Sequence, residues 1–129
     1  MILWRPVGLG EMALIFESGM RAFPPRRPEQ PIFYPVMNGQ YAAQIARDWN
    51  TKEPAFAGYV VRFEVADDHA ARFEPQTVGS ATHRELWVPA EHLAEFNEHV
   101  RPGMVAERAF FGSRFSGEIG EQLSLRGKD

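Results

Sequence analysis

The sequence predicts an α+β fold with a compact, mainly antiparallel split sheet and short flanking helices. Segments alternating with period two recur along the chain, short runs at helical spacing fall between them, and the turns joining the later strand candidates suit antiparallel neighbours. The chain has 129 residues, the length of one domain, and 44% of them are hydrophobic, enough to close a core without disulfide or metal staples.

Leu3 to Val7 is a short strand, ended by Gly8 and Gly10. Met12, Ile15 and Phe16 recur at helical spacing and predict a helix from Glu11 to Ser18, with Gly19 as its left-handed cap. Pro24, Pro25, Pro28, Pro31 and Pro35 deny the next segment helix and ladder donors, so it is a stiff loop feeding a brief strand from Ile32 to Tyr34. Asn38 is placed to cap a second helix whose apolar stripe is Tyr41, Ile45 and Trp49. Phe56 to Val65 alternates, with Tyr59, Val61, Phe63 and Val65 on one face and Arg62 and Glu64 on the other, as in a half-buried strand. Asp67 is expected to cap a single turn through Ala71. Gln76 to Val78 and His83 to Val88 are strands joined by Gly79 to Thr82, a hairpin. Pro89 stands at the first position of a third helix with the stripe Leu93, Phe96 and Val100, ending before Pro102. Met104 to Phe111 returns as a strand and closes a domain over residues 1–111. In the segment 112–129, Phe115, Ile119 and Leu123 repeat every four residues, which fits either a packed short helix or a loose tail.

Charge and composition exclude several function classes. Lysine plus arginine total 14 against 17 acidic residues, a net charge of −3 that gives no electrostatic footprint for nucleic acid or an anionic membrane. A small anionic ligand is still compatible with this balance. The absence of cysteine removes thiol catalysis, disulfides and thiolate metal sites. Arg5, Pro6 and Glu11 interrupt the early apolar residues, so no export signal is expected and a cytoplasmic location is the default.

Three groups of residues are candidates for chemistry. Arg5 and Glu85 are charges in apolar strand contexts, where a buried charge needs a partner, a ligand or water. Periodicity by itself reads Glu85, which shares a face with His83 and Trp87, as a structural or solvated carboxylate. Arg21, Arg26 and Arg27 flank or occupy the proline loop, where guanidinium forks on a stiff segment suit a diphosphate, although a solvated basic loop has the same composition. Tyr34 and Tyr41 can each offer a flat face to a ligand ring or serve as core. His92, Glu95 and His99 share a helix face at a spacing compatible with a metal, but that face lies away from the apolar stripe, as a wet helix surface does.

The run Ile2-Leu3-Trp4-Arg5, the helix ending Glu17-Ser18-Gly19-Met20-Arg21-Ala22-Phe23-Pro24-Pro25, then Pro31-Ile32-Phe33-Tyr34 and a following helix resemble the opening of the ADP-ribosyltransferase fold. Glu85-Leu86-Trp87-Val88 resembles the strand that carries the catalytic glutamate in that superfamily, notably in poly-ADP-ribose polymerase catalytic domains. The likeness covers roughly residues 2–50 and 83–88, and the whole chain resembles short bacterial proteins described as ADP-ribosylation/crystallin J1. It implies an ADP-ribosyltransferase-like domain that binds NAD as a substrate and needs no metal. Arg5 would orient the donor ribose, and Arg21 with the proline segment would cover the adenosine diphosphate. Phe33 or Tyr34 would supply an aromatic, Tyr41 would stack on nicotinamide, and Glu85 would be the catalytic carboxylate. Alternation allows only one of Phe33 and Tyr34 to face a cleft. Two functional readings follow from the resemblance. One is transfer of ADP-ribose to a protein, a nucleotide or water. The other is an inactive module of the same fold that binds an ADP-ribose-like ligand or a protein partner.

Overall fold

The computed structural model describes residues 1–116. In chain order its elements are β1 (Ile2–Gly8), α1 (Leu9–Glu17), β2 (Ile32–Phe33), α2 (Gly39–Asp48), β3 (Ala57–Glu64), α3 (Asp67–Ala70), β4 (Gln76–Thr77), β5 (Arg84–Glu85), β6 (Val88–Pro89), α4 (Leu93–Glu98) and β7 (Val105–Phe111), with 3-10 turns at Asn50–Lys52 and Ala90–His92. The fold is mixed α+β with antiparallel sheets and a few short helices.

The central strand is β3, flanked by β1 and β7. Its alternation places Tyr59, Val61 and Phe63, with Val65 just beyond, in the main core, while Arg62 and Glu64 are exposed. The other face is apolar as well at its N-terminal end, where Val60 packs with Val36, Ala42, Ala43 and Ala46 under α2. The strand is therefore buried on both faces over its first half, which period-two reading alone does not anticipate. A bulge between Val60 and Val61 shifts the register against β7.

Helix α2 is capped as expected, with the Asn38 Oδ1 accepting from the Tyr41 N–H at 3.0 Å. Its buried face differs from the expected stripe. Ala42, Ala43 and Ala46 face the sheet, Tyr41 and Ile45 flank them, and Trp49 is 68% exposed. The cause is close approach: a Cβ on Gly58 would lie 2.3 Å from the Ala46 carbonyl oxygen, so only small residues fit between helix and strand. Large side chains are displaced to the helix flank.

Helix α1 begins at Leu9, two residues before the expected start, and ends in a turn with Gly19 at φ +79°. The Ser18 hydroxyl fixes that turn by accepting from the Arg21 and Ala22 N–H groups at 3.2 and 3.1 Å. Asp67 does not cap α3; Ala66 holds the cap position without a side-chain bond, and Asp67 is the first helical residue. The third expected helix is shortened to α4, preceded by a 3-10 turn after Pro89.

The expected strand from His83 to Val88 divides in two. Arg84 and Glu85 pair with β4, whereas Val88 and Pro89 pair with β2 in a separate two-stranded sheet. Between them the Leu86 N–H donates to the Pro35 carbonyl at 2.9 Å, and the chain passes from one sheet to the other. Val36 joins β1 to β5 by bridging Trp4 on one side and Glu85 on the other. Phe115 packs on Phe111 with ring centroids 4.7 Å apart, while Ile119 and Leu123 lie outside the described residues.

Candidate functional site

Val36 stands between the first strand and the Glu85 strand, bridging Trp4 and Glu85, and so brings two segments far apart in the sequence to either side of one residue. Beside that junction a cleft of about 670 Å³ opens between β1, the start of α1, the proline loop, the Tyr41 flank of α2 and the β4–β5 hairpin. Arg5, Tyr34, Tyr41 and Glu85 all line it, as does Arg27. Its volume lies within the usual range for small-molecule sites, roughly 300–1,000 Å³.

Glu85 is 9% exposed, and its Oε1 accepts a hydrogen bond from the Trp87 indole at 2.8 Å. Both side chains lie on the face that strand alternation assigns them, even though the ladder breaks between them. Tyr41 stacks on His83, with ring centroids 4.1 Å apart and planes within 7° of parallel. Burial pushes the Tyr41 phenol above its ordinary titration range, and the negative charge of Glu85 adds to the shift. Tyr34 is 40% exposed and meets Trp87 edge to face.

The two aromatics left open by the sequence separate here. Phe33 has no exposed surface and packs among Phe23 and Phe96, so Tyr34 is the one that faces the cleft. Arg21 also departs from expectation: it is exposed on the turn that ends α1 and does not line the cleft. That turn is tied back on itself by Ser18 before the proline loop starts, so the loop arginine in the cleft wall is Arg27.

Arg5 is held by Glu11 in a two-point contact, Nε to Oε2 at 3.1 Å and Nη2 to Oε1 at 3.0 Å. Arg26 shares the same carboxylate, with its Nη2 3.3 Å from Oε2. Both guanidinium carbons stand over the Phe33 ring, at 5.0 and 5.3 Å from its centroid, within cation–π range. Burial lowers the Arg26 pKa against the attraction of Glu11, and the neighbouring charge of Arg5 lowers it further. Sequence reading missed Glu11 and His83. The available signals were an acid in the first turn of a short helix following a strand arginine, and an imidazole two residues before Glu85.

No family model, curated protein or solved structure matched this chain. Among the described residues, no helix is long and apolar enough to cross a membrane. Nor is any group of three or more His, Asp or Glu among them placed to hold a metal ion. Of the group His92, Glu95 and His99, Glu95 is bonded to Arg72 at 3.1 Å and His99 lies against His69.

Proposed function

We propose that the cleft is the donor site of an ADP-ribosyltransferase-like domain that binds NAD and cleaves its nicotinamide–ribose bond, passing ADP-ribose to an acceptor or to water. One observation carries the reading: an arginine from the first strand and a carboxylate from a late strand, joined through Val36, line one cleft with two tyrosines. In this reading Glu85 accepts from a ribose hydroxyl. As the C–N bond breaks, its electron pair leaves with nicotinamide and positive charge develops on the ribose. The carboxylate stabilises that charge more than the ground state. The acceptor then adds at the same carbon and gives up its proton. Tyr34 and Tyr41 flank the ligand's rings, and Arg5 and Arg27 face its negative charge.

A second reading, binding without turnover, is favoured by Pro6. This residue follows Arg5 in the cleft wall, where the polymerases carry glycine, and it has no N–H to donate to a carboxamide. Calorimetric titration with NAD, followed by assay of released nicotinamide, separates the two. Saturable binding is expected for the wild-type protein and a large loss for Arg5→Ala. Glu85→Gln should bind within about threefold of wild type yet release nicotinamide at least ~100-fold more slowly, the scale on which removal of one transition-state contact acts. Binding with no nicotinamide released by the wild type selects the second reading, and no binding of NAD rejects the donor-site reading and leaves a module that takes a different ligand or a protein partner.

A further inference from the structure

A smaller recess of about 180 Å³ adjoins the cleft and shares Arg5, Gln30 and Tyr34 with it. Its wall adds Arg26, Glu29 and Ile32, and Glu85 is not part of it. The Arg26 side chain is 4% exposed, Arg5 14% and Glu11 17%, so two guanidinium groups share one carboxylate in a largely desolvated place. Their charges sum to +1. The remaining charged pair at the rim, Arg27 and Glu29, offsets itself at 3.9 Å and is mostly exposed. Among the described residues, Nε of Arg26 is buried with no hydrogen-bond partner. The Arg26 Nη2 is satisfied by Glu11 and by the Pro24 carbonyl, each at 3.3 Å, so the unpaired Nε–H is the costly group that an added acceptor would relieve.

We infer that this recess is a subsite for a phosphate group, bound by Arg26 together with Arg5. Glu11 holds the two forks side by side, and the Phe33 ring supports them from below. Tetrahedral phosphate accepts from two guanidinium groups at once, and a fixed fork gains more from each bond than a flexible lysine does. For a phosphate of the dinucleotide the inference rests on the donor-site reading, whereas a free phosphate requires no glycosidic bond to break. The phosphate can be free, or it can be carried by the molecule in the cleft, since Arg5 and Tyr34 belong to both spaces.

The test is an NMR titration of the protein with inorganic phosphate at constant ionic strength, following the Arg26 Nε–H resonance and the backbone of residues 29–34. Saturable shifts are expected in the wild type. Arg26→Gln should weaken phosphate at least about tenfold, as loss of a charge-assisted bond does. Arg21→Gln, on the exposed turn, should leave it unchanged. If Arg26→Gln does not fold, Arg26→Lys, which keeps the charge and loses the fork, takes its place and should bind more weakly than wild type. Shifts that fail to saturate, an unmoved Arg26 resonance, or a folded Arg26 variant that binds as wild type would overturn the subsite. Adding NAD to the phosphate-bound protein then separates the sources. Competition means the recess takes a phosphate of the dinucleotide, and simultaneous binding means it takes a separate one. A protein that binds phosphate but not NAD keeps the subsite and rejects the donor-site proposal.

Discussion

The Trp87 indole N–H points its proton at the Glu85 carboxylate across 2.8 Å, two residues along a strand that breaks between them. The break sends the chain to a second sheet, yet the pair stays on one side, so the indole is a positioning group for the carboxylate. A hydrogen bond to a charged group contributes about 1.5–3 kcal/mol. If the cleft is the proposed donor site, Trp87→Phe should therefore lower kcat for nicotinamide release by roughly ten- to a hundredfold while changing KM little. Steady-state kinetics on the purified variant decide it. An unchanged kcat would show that Glu85 is oriented by other contacts.

Among the described residues, Glu11 is the one carboxylate bonded to both Arg5 and Arg26. Glu11→Gln leaves two desolvated guanidinium groups facing each other without a counter-charge. Breaking a buried pair in this way costs about 3–5 kcal/mol, and the partial exposure of the trio puts the expectation at the lower end, about 3 kcal/mol. A fall in Tm on the order of 10 °C follows for a domain of this size. Thermal melts followed by circular dichroism check it, and a Tm within two or three degrees of wild type would show that the trio is solvated.

How far the site was legible in the sequence depends on the distance over which each residue is fixed. Asn38 capping α2 and Gly19 ending α1 are local, and both are legible in the sequence. The alternation of β3 was also legible, but the burial of Val60 was not, because it depends on α2 crossing that face. Phe33 and Tyr34 could be narrowed to one cleft residue by strand geometry. Choosing between them needed the Phe23 and Phe96 rings, which lie elsewhere in the chain. Arg5 was legible as a charge in need of a partner, while its partner depended on how α1 turns back after Gly8. The division of the Glu85 strand was hidden because Leu86 and Val88 are equally buried whether they belong to one sheet or two.

Gly58 marks where α2 meets β3. A methyl group there would stand 2.3 Å from the Ala46 carbonyl oxygen and 2.9 Å from the Asn50 Cβ, and backbone cannot yield as a flexible side chain does. Gly58→Ala should destabilise by about 3 kcal/mol, the upper end of ordinary overpacking. Because Tyr41 and Asn50 line the cleft from this helix and turn, ligand affinity should fall with it. Gly10→Ala is the control, since nothing lies within 4 Å of its added methyl. Denaturant unfolding of both variants gives the answer; equal midpoints would mean that α2 can lift without cost.

His69 makes stability depend on pH with a sign that can be worked out. It is 3% exposed, packed among Phe73, Phe96 and His99, and its Nε2 has no hydrogen-bond partner among the described residues. Burial holds its pKa below the ordinary 6.5, the positive charges available at His99 and Arg72 push the same way, and Glu95 and Asp68 oppose them. The unfolded chain thus takes up a proton more readily than the native protein. Stability from this residue is complete above about pH 6.5, falls as pH drops through that value, and stops falling once the native imidazole is itself protonated. His69→Leu removes the dependence. Between pH 7.5 and 5.5 the wild-type Tm should fall further than that of the variant, and parallel curves for the two proteins would show that the imidazole takes its proton as easily folded as unfolded.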